Sequence, residues 1–204
     1  LYPHVETHIQ KVIENDVKIV FTSAGNPKKY THLLKSHAIT VVHVVSNLKF
    51  AQKSLDSGVD AIVVEGFEAG GHNGKNETTT MCLVPLISKN IDIPIIAAGG
   101  ISCGKSMLAA LSLGADGIQI GSRFAVSKES SAHINFKNQV IEANEGETIL
   151  TMKDITPVRL IKNEFYDNIK RMYSQKKSTE EIREFLGKGR AKKGIFDGDL
   201  TNGE

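Results

Sequence analysis

The sequence predicts an α/β protein built on a parallel sheet, and two observations carry that prediction. Short apolar runs begin at Val17, Ile39, Asp60, Pro94 and Gly117, about 22 residues apart except where a glycine-dense loop lengthens one interval, and helical patterns separate them. This is the rhythm of βα units. In addition, Leu55-Asp-Ser-Gly-Val-Asp-Ala-Ile-Val63 and Leu111-Ser-Leu-Gly-Ala-Asp-Gly-Ile-Gln119 both run helix end, glycine, aspartate, apolar strand. Gly58 and Gly114 fall just past a helix, where the chain turns through the left-handed region that favours glycine. The repeat is structural rather than catalytic, because any helix turning sharply back into a strand needs the same punctuation.

Taken in order, Val5, Ile9, Val12 and Ile13 recur at helical spacing between Pro3 and Asn15, and Val17–Phe21 reads as a buried strand. Ser23–Pro27 is a turn, with Pro27 opening a helix through Leu33 and Leu34. A strand over Ile39–Val45 holds His43 as a packed core residue, and a helix over Asn47–Ser57 turns Phe50, Ala51 and Leu55 inward. The strand Asp60–Glu65 enters the glycine loop, after which a helix over Thr80–Asn90 presents Met81, Val84, Leu86 and Ile87 as its apolar positions. Pro94–Ala98 is a strand, Ser106–Leu113 a helix and Gly117–Gly121 the fifth strand. Beyond Ser122 only helices are expected: Lys128–Glu145, Val158–Gln175, and Thr179–Leu186 with Ser178 as N-cap. The tail from Gly187 to Glu204 has no convincing periodicity. The expected organisation is a βα body over 1–125, a helical appendage over 126–187 and a return segment over 188–204.

A chain of 204 residues with 40% hydrophobic residues supplies one sizeable core. The net charge of +2 argues against a dedicated nucleic-acid surface, and Lys188–Lys193 reads as a solvated face. Cys82 and Cys103 make no disulfide framework, and no apolar run approaches the ~18–20 residues of a membrane span. A soluble, cytoplasmic protein without membrane or nucleic-acid partners is expected. The chain opens at Leu1 without a methionine or a signal-like region, as a piece of something longer would.

The chemistry concentrates in Glu65-Gly-Phe-Glu-Ala-Gly-Gly-His-Asn-Gly74. Glycines at 66, 70, 71 and 74 admit positive φ and close approach to a ligand. An imidazole exchanges a proton near neutral pH, so His72 is a candidate catalytic residue; the alternative is a histidine that caps a turn. Ala98-Gly-Gly100 and Gly121-Ser122 end consecutive strands, where backbone amides hold a phosphate in parallel βα folds; the alternative is two tight turns. Gly-Lys-Ser106 lacks the upstream glycine of a nucleotide-triphosphate loop, and His4 with His8 has no third metal ligand. Cys103 lies near a helix start, where a thiol is acidified, but burial as a small apolar residue is the favoured reading.

The glycine loop, Ile93-Pro-Ile-Ile-Ala-Ala-Gly-Gly-Ile101 and Gly114-Ala-Asp-Gly-Ile-Gln-Ile-Gly-Ser-Arg-Phe124 together resemble the nitronate monooxygenase family of flavoproteins, which includes FMN-dependent enoyl-acyl-carrier-protein reductases. The resemblance spans essentially the whole chain and implies a TIM barrel with FMN at its carboxyl-end mouth and a helical lid. The five strands would be the fourth to eighth, leaving an incomplete TIM-barrel-type fold without the first three βα units. It implies FMN contacts at Glu65, Gly70, Gly71, Gly99, Gly100, Gln119, Ile120, Gly121 and Ser122, with His72 as the active-site histidine and no metal. Many relatives carry glutamine at the position of Glu65; a carboxylate accepts from a flavin N–H but does not donate. The implied activity is oxidation of alkyl nitronates with dioxygen. The alternatives are enoyl-thioester reduction, with NADH or NADPH as donor, and an inactive fragment. For the reductase, Lys188–Lys193 would dock an acidic acyl carrier protein, and the family admits a homodimer. Arg159 and Asn163 resemble a family segment without an assignable role.

Overall fold

The computed structural model describes residues 4–203, so the expected helix start at Pro3 and the end of the tail at Glu204 lie outside the described residues. Two compact units are formed: residues up to Glu68 with Asn76–Gln119, and Ala69–Lys75 with the residues from Ile120 onward.

In the first unit helix and strand alternate as α1 (Val5–Glu14), β1 (Ile19–Thr22), α2 (Lys28–Ser36), β2 (Thr40–Val45), α3 (Leu48–Asp56) and β3 (Ala61–Glu65). After β4 (Gly71–His72), which belongs to the second unit, come α4 (Thr80–Ser88), β5 (Ile95–Ala98), α5 (Gly104–Ser112) and β6 (Gly117–Gln119). The five long strands form one parallel sheet in the order β1-β2-β3-β5-β6. This is the predicted βα body of TIM-barrel type, with β1 and β6 as open edges among the described residues. β3 lies at the centre, and Ile62, Val63 and Val64 are fully buried, as expected of a parallel strand covered on both faces.

Three expectations about packing change. β1 is not buried: Ile19 is 56% and Phe21 53% exposed, because an edge strand has a neighbour on one side only. In α3 the inward residues are Ala51 and Ser54, while Phe50 is 49% exposed. In α4 the buried stripe is Thr80, Leu83, Val84 and Ile87, the i, i+3, i+4, i+7 face, which leaves Met81 and Leu86 outside.

The internal echo has a physical explanation. Gly58 and Gly114 take φ of 76° and 102°, and the aspartate that follows each one ties two strands together. Asp60 Oδ2 accepts from the Val41 N–H at 2.8 Å and Asp116 Oδ2 from the Ile95 N–H at 2.8 Å. Each carboxylate pairs a backbone donor at the start of the neighbouring strand, and Asp60 also meets Lys35 at 2.7 Å.

The second unit contains α6 (Ser122–Ala125), α7 (Ile134–Glu142), β7 (Thr148–Thr151), β8 (Val158–Ile161), α8 (Glu164–Ser174), α9 (Thr179–Leu186) and α10 (Arg190–Ile195). It is not all-helical as expected, since β4, β8 and β7 form an antiparallel sheet in that order. Val158–Ile161 buries alternate residues as a strand does; its abutment on a strong helix hid the two-residue period. Residues 69–75 join the second unit through β4, as do all the described residues from Ile120 onward.

The core of this unit is Met152, Val158, Leu160, Phe165, Ile169 and Ile182. Phe165 and Phe185 stack with centroids 6.0 Å apart, and the Arg190 guanidinium lies 5.3 and 5.2 Å from the two ring centres. Arg190 also donates to Leu186 O at 2.7 Å, to Asn202 O at 2.8 Å and to Phe185 O. The basic stretch is therefore not simply a solvated face, because its one arginine is a structural clamp. The expected cap of α9 is present as a reciprocal Ser178–Glu181 box. Among the described residues no helix is long and apolar enough to cross a membrane.

Replacing Asp116 by alanine leaves the Ile95 N–H without its acceptor and should destabilise the fold by about 1–3 kcal/mol, read as a lower urea midpoint. A midpoint equal to that of the wild type would remove the aspartate from strand alignment.

Candidate functional site

In the first unit the register sets Glu65 opposite Ala98 and Ala98 opposite Gln119. Register partners in a sheet point to the same face, so Glu65, Ala98 and Gln119 stand side by side at the carboxyl ends of three adjacent strands. Just beyond Ala98, Gly99 and Gly100 take φ of 97° and 71°, where a side chain would be strained. Among the described residues neither of their N–H groups donates to a backbone carbonyl.

What holds this end of the sheet is a side-chain network not anticipated from the sequence. Gly66 does not have positive φ; its role is space, since a Cβ there would sit 2.1 Å from Thr80 Oγ1. The Thr80 hydroxyl lies 2.8 Å from Gly99 O, 3.1 Å from Glu68 Oε2 and 3.2 Å from Ala98 O. Its single hydrogen serves one acceptor at a time, with Gly99 O the nearest. The Glu68 carboxylate accepts from the Thr80 N–H at 3.0 and 3.2 Å. Glu68 Cβ is 3.3 Å from where a Gly100 Cβ would stand. Gly66 itself donates to Ala98 O at 2.9 Å.

Glu65 is half-buried, and burial alone pushes its carboxyl above the ordinary carboxylate value. His43 is the core histidine expected: it is buried, with Nδ1 2.7 Å from Thr22 Oγ1, and burial lowers its pKa with Lys53 as a lesser cause.

In the second unit, Gly71 (φ 80°) and His72 form β4 against β8, with Gly71 opposite Arg159 and His72 opposite Val158. His72 is exposed on this short strand. The turn is fastened by the next residue: Asn73 Nδ2 donates to Ala69 O at 2.7 Å and Gly71 O at 3.2 Å, and its N–H donates to Pro157 O at 2.8 Å. Gly121 is the N-cap of α6 and Ser122 its first residue, so β6 stops at Gln119, two residues earlier than expected. A Cβ at Gly70 or Gly121 would meet nothing within 4 Å. Neither glycine is required by the packing of the chain itself. Asn163 caps α8 through the Tyr166 N–H at 3.0 Å and holds Gly203 O at 3.0 Å.

Cys103 is exposed, against the expected burial, and Cys82 is exposed as well. Cys103 stands at the N-cap of α5, its N–H donating to Ser106 Oγ at 3.1 Å, a position outside the core by construction. Among the described residues no three His, Cys, Asp or Glu side chains group around a possible metal.

A parallel βα sheet with glycines just beyond its carboxyl ends is the scaffold on which α/β proteins, TIM barrels among them, hold ligands. A sequence profile of the nitronate monooxygenase family matches residues 3–202, and the chain belongs to that family of oxidoreductases. It is 35% identical over 175 residues to a probable nitronate monooxygenase of Staphylococcus haemolyticus, covering 79% of this chain and 48% of the relative. With the probable nitronate monooxygenase of Staphylococcus saprophyticus the identity is 36% over 169 residues, covering 77% and 47%. The chain thus spans about half the length of the curated relatives it matches. Among solved structures, FabK from Thermotoga maritima superposes with a TM-score of 0.92 at 35% identity, over 100% of this chain and 64% of that one. Nitroalkane oxidase from Streptomyces ansochromogenes gives 0.70 at 24% identity, over 79% and 50% of the two chains, which shows the fold alone.

Because burial raises the folded-state pKa of Glu65, the folded chain holds this proton more tightly than the unfolded chain. The stability linked to it is present below the ordinary carboxylate pKa and is lost as pH rises through the folded value. Glu65→Gln should therefore melt higher than wild type at neutral pH, with the gap closing as pH falls through the carboxylate range. A gap independent of pH would contradict the burial assignment.

Proposed function

We propose that this chain carries the FMN site of a nitronate monooxygenase-type oxidoreductase that oxidises alkyl nitronates with dioxygen. The observation behind the proposal is the alignment of Glu65, Ala98 and Gln119 at one strand end, followed by the left-handed Gly99–Gly100 pair, within a chain of this family. These residues fit the cofactor. The glycine pair offers unpaired N–H groups to a phosphate where a Cβ would crowd Glu68. Gly70 and Gly121 are glycines that internal packing does not demand.

In this proposal Gly99 and Gly100, with Glu65 and Gln119 beside them in the first unit, contact FMN, and the family resemblance implies further contacts at Gly70, Gly71, Ile120, Gly121 and Ser122. Bound FMN supplies the electron transfer to dioxygen. His72 orients the nitro oxygens of the substrate and takes the carbon-bound proton when a neutral nitroalkane is presented. Its backbone pairing to Val158 and the Asn73 anchors fix the segment from which it acts.

Reduction of an enoyl-acyl-carrier-protein thioester by NADH or NADPH through FMN is the second candidate activity. Two observations favour it: the likeness of the whole chain to T. maritima FabK, and the Ser23–Pro27 and Glu65–Glu68 segments, which look closer to that arm of the family. In that reaction His72 would polarise the thioester carbonyl or protonate the product.

The deciding measurement is the visible spectrum of the chain after addition of FMN, followed under air with a nitronate and separately with NADH and an enoyl thioester. Bleaching and turnover by the nitronate alone supports the monooxygenase; turnover that requires NADH and the thioester replaces it with the reductase; no bound flavin refutes both. His72→Ala should keep FMN and lower turnover about 100- to 10,000-fold. Gly121→Asp, which has room for its side chain, should abolish flavin retention by setting a charge against the phosphate, and normal flavin content would sink that assignment.

A further inference from the structure

We infer that Glu68 is a positioning residue for the cofactor, acting through Thr80 on the Gly99–Gly100 turn; the inference rests on the FMN proposal above. Gly99 and Gly100 occupy consecutive left-handed conformations. Glycine is the most mobile residue in an unfolded chain, so two in succession do not hold such a turn unaided. The structure supplies two restraints, and both pass through Glu68.

The first is polar. The Glu68 carboxylate accepts the Thr80 N–H at 3.0 Å, which fixes the first turn of α4. The same oxygen lies 3.1 Å from the Thr80 hydroxyl, whose other neighbours are Gly99 O at 2.8 Å and Ala98 O at 3.2 Å. The hydroxyl therefore stands among three acceptors and is held where it reaches the Gly99 carbonyl. Its seat is the space left by the missing Cβ of Gly66. The second restraint is steric. The Glu68 stem covers Gly100, with Cβ, Cγ and Cδ 3.3, 3.6 and 3.9 Å from the point where a Gly100 side chain would begin. One residue thus braces the carbonyl side of the turn through Thr80 and its Cα side directly.

A residue that positions in this way differs from one that touches the ligand. Its loss should loosen the turn before any cofactor is present, and the conservative variant should restore most of the function. The test is hydrogen exchange of the Gly66 amide, which donates to Ala98 O at the base of the turn, in the FMN-free chain, paired with FMN affinity by flavin fluorescence, for Glu68→Ala, Glu68→Gln, Thr80→Val and Thr80→Ser. Glu68→Ala and Thr80→Val should each speed exchange at this amide and weaken FMN by about tenfold or more, the loss expected for one part-buried hydrogen bond to a charged group. Glu68→Gln and Thr80→Ser should stay near wild type in both measurements.

Wild-type affinity in Glu68→Ala overturns the inference. So does weaker FMN binding with unchanged exchange, which would make Glu68 a direct ligand contact. If the wild-type chain binds no FMN, the proposed function falls, and exchange alone then judges the brace: unchanged exchange in Glu68→Ala overturns it, and faster exchange upholds it.

Discussion

A hydroxyl group seated where a side chain is missing organises the carboxyl end of the sheet. Gly66 has an ordinary backbone conformation, yet any Cβ would displace Thr80 Oγ1, and with it the contact to the carbonyl of Gly99. The Thr80 N–H at the start of α4 thereby finds an acceptor and the Gly99 carbonyl a donor within the chain, which matters because an unpaired buried hydrogen-bonding group costs about 1–3 kcal/mol. Glu68 completes the arrangement by taking up the first donor of the helix.

The opposite end of the same sheet is fixed by a different device used twice. Asp60 captures the second N–H of β2 and Asp116 the first of β5. The starts of β2 and β5 are thus held by carboxylates and the end of β5 by the Glu68–Thr80 pair, so β5 is constrained at both ends. Between those ends the side chains are apolar and buried, which leaves the register little freedom to slip.

Much of this was legible in the sequence. The βα rhythm, the left-handed Gly58 and Gly114, the cap at Ser178 and the core placement of His43 are local signals, and local signals survive folding. What escaped was decided by neighbours distant in sequence. β1 reads like an interior strand because its residues are as apolar as those of β2, and only its place at the sheet edge exposes Ile19 and Phe21. Val158–Ile161 was absorbed into the following helix because Asn163, which caps that helix, also marks the end of the strand. Glu68 and Thr80 carry no motif of their own; their importance lies in reaching Gly99 and Gly100, about twenty to thirty residues away in sequence. Arg190 looked like one more surface cation until its stacking on Phe165 and Phe185 was seen.

The strand that carries His72 has one further consequence. The loop leaves the first unit after Glu68 and re-enters it at Asn76, while its middle is hydrogen-bonded into a sheet whose other members lie beyond residue 145. With the passage at Gln119–Ile120, the polypeptide changes units three times. No single cut can therefore separate the units, and a module transplanted from residue 120 onward would leave the histidine behind. The segment bearing the candidate proton carrier owes its sequence position to one unit and its shape to the other, so the two are bound to diverge, or be exchanged, only together.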